Sequence, residues 1–203
     1  MKKASLFLTA ALLLAAGAAC ADEAKIMAVS GEAFIAGTDG IMRAKPGMTC
    51  ATGDMVMTRP GAVVDLVLNG QAGCRLLPDT TAAVAGMKDG SMRILVAEGN
   101  IVLNIKKLPE GTRFLVDTPT SVAAVRGTQF WGRVAGGEGA AATTFAVKEG
   151  GIRVKSKETG AEVDLNAGQA VDLNPGQTGL SPRSATPAEM DAMKAADELA
   201  DRM

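Results

Sequence analysis

With 203 residues, 21 Lys and Arg against 22 Asp and Glu, and neither histidine nor tyrosine, the chain has the size of one ordinary domain plus an address segment. The missing histidines exclude Ser-His-Asp and Cys-His catalysis and histidine-ligated metal sites. Near-neutral charge without a basic run excludes an electrostatic footprint for nucleic acid or anionic lipid, and 3% aromatic residues leave Val, Leu, Ile, Met and Ala to build a core.

Met1-Lys2-Lys3 followed by an apolar run from Ala4 to Ala19 has the positive and apolar regions of a secretory signal peptide over residues 1–21. Ala19-Cys20-Ala21 fits small-x-small cleavage, which starts the mature chain at Asp22; acylation of Cys20 is the alternative, with Gly17 where a lipobox usually has leucine. Losing Lys2 and Lys3 takes the basic residues from 21 to 19 against 22 acidic ones. No later stretch approaches the roughly 20 apolar residues that span a bilayer. The expectation is a periplasmic or secreted protein with no transmembrane helix after cleavage.

From Ala24 onward, short β-type runs are punctuated by glycine: Ile26 to Val29, Ala33 to Ile35, Met55 to Thr58 and Ala62 to Leu68. Pro46-Gly47 and Asn69-Gly70 are turn signals, the second the commonest two-residue hairpin loop. Cys50 and Cys74 form an even pair that reads as one disulfide in an oxidising compartment. Closing that loop would contribute roughly 3 kcal/mol; two separate buried thiols are the alternative.

A strand–glycine–strand unit recurs. Leu95 to Leu103, with Gly99 at its centre, matches Ala146 to Val154 around Gly150, and Met27 to Ile35 around Gly31 is a fainter copy. Gly53-Asp54-Met55-Val56 and Gly168-Gln169-Ala170-Val171 form a second recurring element. The unequal spacing does not make a short-period solenoid. It predicts an all-β fold over residues 22–180, β-solenoid-like or a two-sheet β-roll, with residues 136–142 as a loop.

After Leu180 the character changes. Residues 181–203 read as a linker and a C-terminal amphipathic helix from Pro187 to about Arg202. Thr186-Pro187-Ala188-Glu189 is a capping box with proline at the first helical position. The helix is expected to close an open end of the β-fold, with docking into a partner groove as the other use of its methionines.

Between these lies the sharpest local signal, Phe114 to Trp131, FLVDTPTSVAAVRGTQFW. Phe114, Val116 and Thr118 alternate with Leu115 and Asp117 as in a half-buried strand, and Pro119 breaks the ladder. A second β-rich run, Ser121 to Val125, ends at Arg126-Gly127-Thr128. Arg126 has two roles open to it. Its guanidinium fork suits a carboxylate or phosphate of a partner, while pairing with Asp117 or Glu149 inside the fold is the structural alternative, with Gly127 permitting a tight bend. Trp131 is either a platform for a partner or glycan, or the edge of the core. No carboxylate pair, phosphate loop or calcium-loop spacing stands out, so no enzymatic activity, cofactor or metal is expected.

The TPTSVAAVRGTQFW segment resembles the signature of the FecR domain, a bacterial envelope module. Further steps match in order: Val29-Ser30-Gly31-Glu32-Ala33, Gly53-Asp54-Met55-Val56-Met57-Thr58, Glu98-Gly99-Asn100-Ile101, Glu149-Gly150-Gly151-Ile152, and Val163 to Gln169. The resemblance extends over nearly all of the mature chain to Val171. It implies an all-β, β-solenoid-like periplasmic module without catalytic residues to carry over, and it marks Thr118, Pro119, Arg126, Gly127, Thr128 and Trp131 as family motif and partner contacts. The family's namesakes regulate sigma factors and sense an outer-membrane receptor, through a cytoplasmic segment, a membrane helix and a further periplasmic domain. None of these three is read in this sequence, so the implied work is protein–protein interaction in the envelope, as scaffold or signal relay, with a partner such as an outer-membrane component. A module binding a glycan or another small molecule is the rival.

Overall fold

In strand after strand, every second side chain is buried, as the period of a half-buried sheet requires. The structure, a computed structural model, describes residues 24–88, 91–106, 108, 110–136, 141–194, 197 and 199. The expected signal peptide and Cys20, most of the 136–142 loop and the far end of the expected helix lie outside the described residues.

The strands are β1 (Ala24–Ser30), β2 (Ala33–Gly37), β3 (Gly40–Arg43), β4 (Thr49–Cys50), β5 (Met55–Thr58), β6 (Val63–Leu68), β7 (Ala72–Leu76), β8 (Thr81–Lys88) and β9 (Ser91–Ile105). They continue with β10 (Arg113–Asp117), β11 (Ser121–Val125), β12 (Gln129–Ala135), β13 (Ala142–Glu149), β14 (Gly151–Ser156), β15 (Glu162–Asn166), β16 (Gln169–Leu173) and β17 (Arg183–Ser184). A helix, α1 (Pro187–Ala192), follows; Met193 caps it, so it ends well short of the expected Arg202.

The pairings sort these strands into two faces joined by β9. Sheet I runs β4-β1-β6-β7-β9-β12-β13-β16-β17, using residues 99–105 of β9. Sheet II runs β3-β2-β5-β8-β9-β10-β11-β14-β15, using residues 91–98. Leu66, Leu103, Phe130 and Phe145 of sheet I meet Ile94, Phe114, Val116 and Ile152 of sheet II in one buried cluster. Each such side chain contributes roughly 1.5–3 kcal/mol of apolar burial. The Phe130 and Phe145 rings supply most of the aromatic bulk, tilted at 58° with centroids 6.3 Å apart.

The fold is therefore all-β and two-sheeted. Of the two forms left open, stacked parallel coils account for a single pairing among the described strands, β9 with β10, where Ser91 lies opposite Arg113. Every other pairing is antiparallel. The recurring glycines explain the internal repeat. Gly31, Gly99 and Gly150 are corners at which the chain leaves one sheet for the other, with φ of +81°, +97° and +78°. A Cβ on Gly99 would lie 2.4 Å from Thr80 Cα, and one on Gly150 would lie 2.5 Å from the Gly127 carbonyl oxygen. Backbone meets backbone at these corners, and only glycine fits.

The expected Cys50–Cys74 disulfide is not formed; both are free, buried thiols. The register shows why. Cys50 on β4 lies opposite Ala24 on β1, Ala24 opposite Leu68 on β6, and Leu66 of that strand opposite Cys74 on β7. Two strands thus separate the cysteines, about 14 Å along the sheet, whereas a disulfide needs Cα atoms roughly 4.4–6.8 Å apart. Burial, then Asp54, pushes the Cys50 thiol up to about 11; burial, then Asp65, raises Cys74 further.

The capping box forms as expected: Glu189 N–H donates to Thr186 Oγ1 at 3.3 Å and Thr186 N–H to Glu189 Oε2 at 2.7 Å. The helix does not close an end of the sandwich. Met190 and Met193 pack with Val102, Trp131, Ala146 and Ala170, covering the outer face of sheet I. Arg183, within the expected linker, fixes it there: its guanidinium reaches Asp172 at 2.6 and 3.0 Å and Glu189 at 2.6 and 2.9 Å. Arg183 holds the Asp172 and Glu189 carboxyls below their ordinary range.

Candidate interaction surface

The signature segment occupies β10, the turn after it, β11 and the corner into β12. At the turn, Thr118 is 3% exposed. Its N–H donates to the Ser121 carbonyl at 2.9 Å and its hydroxyl accepts the Ser121 N–H at 3.0 Å. Thr120 and Thr143 hydroxyls meet at 2.6 Å beside it, and Pro119 sits exposed at the tip. Asp117 is engaged by Arg93 at 2.9 Å and by Lys157, whose ammonium also donates to the Thr118 carbonyl at 2.5 Å. Thr118 and Pro119 thus shape a turn.

At the corner, Gly127 has φ +70° and Thr128 is 2% exposed. The Thr128 hydroxyl donates to the Gly151 carbonyl at 2.9 Å and accepts the Gly151 N–H at 3.3 Å. The same device stands one corner away. Thr80 Oγ1 donates to the Asn100 carbonyl at 3.0 Å and accepts the Asn100 N–H at 2.9 Å. In each case a buried threonine hydrogen-bonds both backbone groups of the residue after a repeat glycine. Gly127 and Thr128 are parts of the frame.

Trp131 is 8% exposed, on the outer face of sheet I beneath α1. It is core edge and presents no platform. Arg126 differs from all of these. It is exposed, and no ion pair links it to Asp117 or Glu149: it follows Val125, opposite Phe114, at the far end of the β10–β11 pair from Asp117, which is taken by Arg93 and Lys157. Among the described residues nothing pairs with the Arg126 guanidinium. Arg126 and Trp131 therefore point from different sheets and build no common pocket, which removes the geometry a glycan site from this motif would need. No group of three or more metal-ligating side chains exists among the described residues, and no described helix is long and apolar enough to cross a membrane.

A row of exposed apolar side chains lies on sheet II. Its outward side chains follow the register Ile41–Ala36–Met55–Ala83–Leu95 across β3, β2, β5, β8 and β9. Ile41 is 71%, Met55 42% and Leu95 41% exposed. One row over, Arg59 lies 5.7 Å above the Phe34 ring and shields it. The apolar row extends about 19 Å over four inter-strand steps and ends at the charged trio Arg93, Asp117 and Lys157. No motif in the sequence marks Ile41, Met55 and Leu95 as one surface. Alternation marks Leu95 as opposite in face to Ile94, but only the register shows that it lines up with Met55 and Ile41.

Residues 54–153 match the family model described as FecR protein, a narrower span than the motif steps reaching Val171. Two crystal structures of a candidate anti-sigma factor from Parabacteroides distasonis, at 2.50 and 1.65 Å, are similar in fold. Both have TM-score 0.57 and 16% identity, covering 68% of this chain and 62% and 63% of theirs. The chain thus spans less than two thirds of these neighbours. No curated protein matches it.

Proposed function

We propose, from the FecR domain that residues 54–153 form, that this chain is a signal-relay regulatory protein acting through protein–protein contact in the bacterial envelope. The observation that carries the proposal is the contrast between the two outer faces. Over β9, β12, β13 and β16 the outer face of sheet I is covered by α1, whereas sheet II leaves the Ile41–Met55–Leu95 row open to solvent. Contiguous exposed apolar side chains bounded by charge are what a docking partner covers. The neighbours described as anti-sigma factors share this fold and support a place in a signalling relay. The positive and apolar N-terminal segment supports export, which puts the partner among periplasmic or outer-membrane proteins. The proposed role is non-enzymatic.

The test is in-cell crosslinking of the tagged protein in its native envelope, followed by mass spectrometry. A reproducible protein partner is expected, lost in the double variant Ile41→Glu/Leu95→Glu while thermal stability is retained, as both side chains are exposed. Undiminished crosslinks in that variant, or a co-purified saccharide without a protein partner, would overturn the proposal.

A further inference from the structure

Arg126 belongs to a second feature of sheet II. The end of that sheet nearest the Gly150 corner carries an open depression of about 740 Å³, lined among others by Arg113, Arg126, Gly151, Arg153, Asp164 and Asn166. Its shape follows from the register. Phe114 lies opposite Val125, so the next outward positions, Arg113 and Arg126, face each other across β10 and β11. Val125 lies opposite Ile152, which continues the row to Gly151, and Gly151 lies opposite Asn166. The adjacent outward row is Leu115–Ala124–Arg153–Asp164. Two small residues, Gly151 and Ala124, thus make a low floor, with Arg113 and Arg126 on one side and Arg153, Asp164 and Asn166 on the other.

The charges in this depression do not balance. Arg153 is held by Asp164 through a two-point contact of 2.7 and 2.9 Å. Arg113 and Arg126 have no carboxylate among the described residues, although like charges directly opposite on neighbouring strands repel. Both guanidiniums keep their donor forks free beside a floor with no side chain to fill it. Such a fork is suited to a carboxylate.

We infer that this depression receives an acidic side chain from an extended segment of a partner protein, its carboxylate lying over Gly151 between Arg113 and Arg126. An open, sheet-face depression suits a peptide crossing the strands. Backbone N–H groups, which cradle phosphate elsewhere, are engaged here in ladders on both sides of β11 and β14. The inference deepens the proposed contact role and rests on it, adding a charged locus to the apolar row on the same face.

The test uses a fluorescein-labelled hexaglutamate peptide, titrated by anisotropy into the folded protein, with inorganic phosphate as competitor. Binding is expected, weakened at least tenfold by Arg126→Gln and by Arg113→Gln, and unchanged by Lys45→Gln or by Ile41→Glu/Leu95→Glu. Unchanged thermal stability of the arginine variants shows that the loss is local. Equal loss with Lys45→Gln would reveal general surface charge, displacement by millimolar phosphate would reveal a small-anion site, and no binding would show that the locus is absent; each overturns the inference. Envelope crosslinks that persist in Arg126→Gln but vanish in Ile41→Glu/Leu95→Glu would refute this locus while leaving the contact role standing.

Discussion

Replacing Gly99 by alanine tests the corner that underlies the internal repeat, with Gly40→Ala as its control. Both glycines have positive φ, +97° and +103°, but a Cβ at Gly40 meets nothing within 4 Å, whereas one at Gly99 would lie 2.4 Å from Thr80 Cα and 2.5 Å from the Asp79 carbonyl oxygen. The two variants share the cost of placing an L side chain at positive φ, about 1–2 kcal/mol. Crowding of backbone at Gly99 adds about 1–3 kcal/mol. In urea, with a slope of about 2 kcal/mol per M, the midpoint falls by about 0.5–1 M for Gly40→Ala and about 1–2.5 M for Gly99→Ala. The fluorescence of Trp131, the single tryptophan, reports unfolding because it is buried under α1. Equal midpoints for the two variants would refute the argument that close backbone approach, and not φ alone, demands glycine at this corner.

Thr128→Val, which keeps volume and removes the hydroxyl, leaves the Gly151 N–H and carbonyl without Thr128; a loss of about 1–3 kcal/mol is expected in the same urea assay, and an unchanged midpoint would refute the stapling role. Arg183→Gln removes the bridge from Asp172 of β16 to Glu189 of α1, so Trp131 emission should shift to the red without global unfolding; unchanged emission would contradict the clasp. Because Arg183 depresses the folded-state pKa of Asp172 and Glu189, the clasp contributes fully above the ordinary carboxylate range, about pH 4–4.5. Its contribution is lost as pH falls through the lower folded values. Wild type should therefore show the red shift on acidification ahead of global unfolding, and Arg183→Gln should lack that step. Cys50 and Cys74 should both react with an alkylating reagent once unfolded in the absence of reductant, and slowly while folded; two unreactive sulfurs in the unfolded chain would restore the disulfide.

Local rules carried the sequence reading far, and it failed where distant strands decide the outcome. The capping box at Thr186 and Glu189 needs only four consecutive residues, and it formed. The repeat glycines were visible because a corner imposes its own pattern on the residues around it. Cys50 and Cys74 looked like a pair in composition, yet β1 and β6 lie between them, and no local signal reveals an intervening strand. Asp117 and Glu149 are the structural partners that charge alone offers Arg126. The parallel β9–β10 pairing instead brings Arg93 to Asp117, and the antiparallel return of β14 brings Lys157. Alternation shows which side of a strand faces water. It does not show which outward residues of five strands form a row, so Ile41, Met55 and Leu95 became a surface only through register. The helix was legible, but its place over Trp131 depended on Arg183 bridging Asp172 and Glu189.

The central claim, that the uncovered face of sheet II meets a protein partner, is most directly tested by site-specific photo-crosslinking in the native envelope. A photoreactive side chain at Leu95 or Met55 should give a discrete adduct with one protein, and the same group at exposed Lys194, beside the covered face, should give none. Adducts at Lys194 with none at Leu95 or Met55 would contradict the account and move the contact to the helix side.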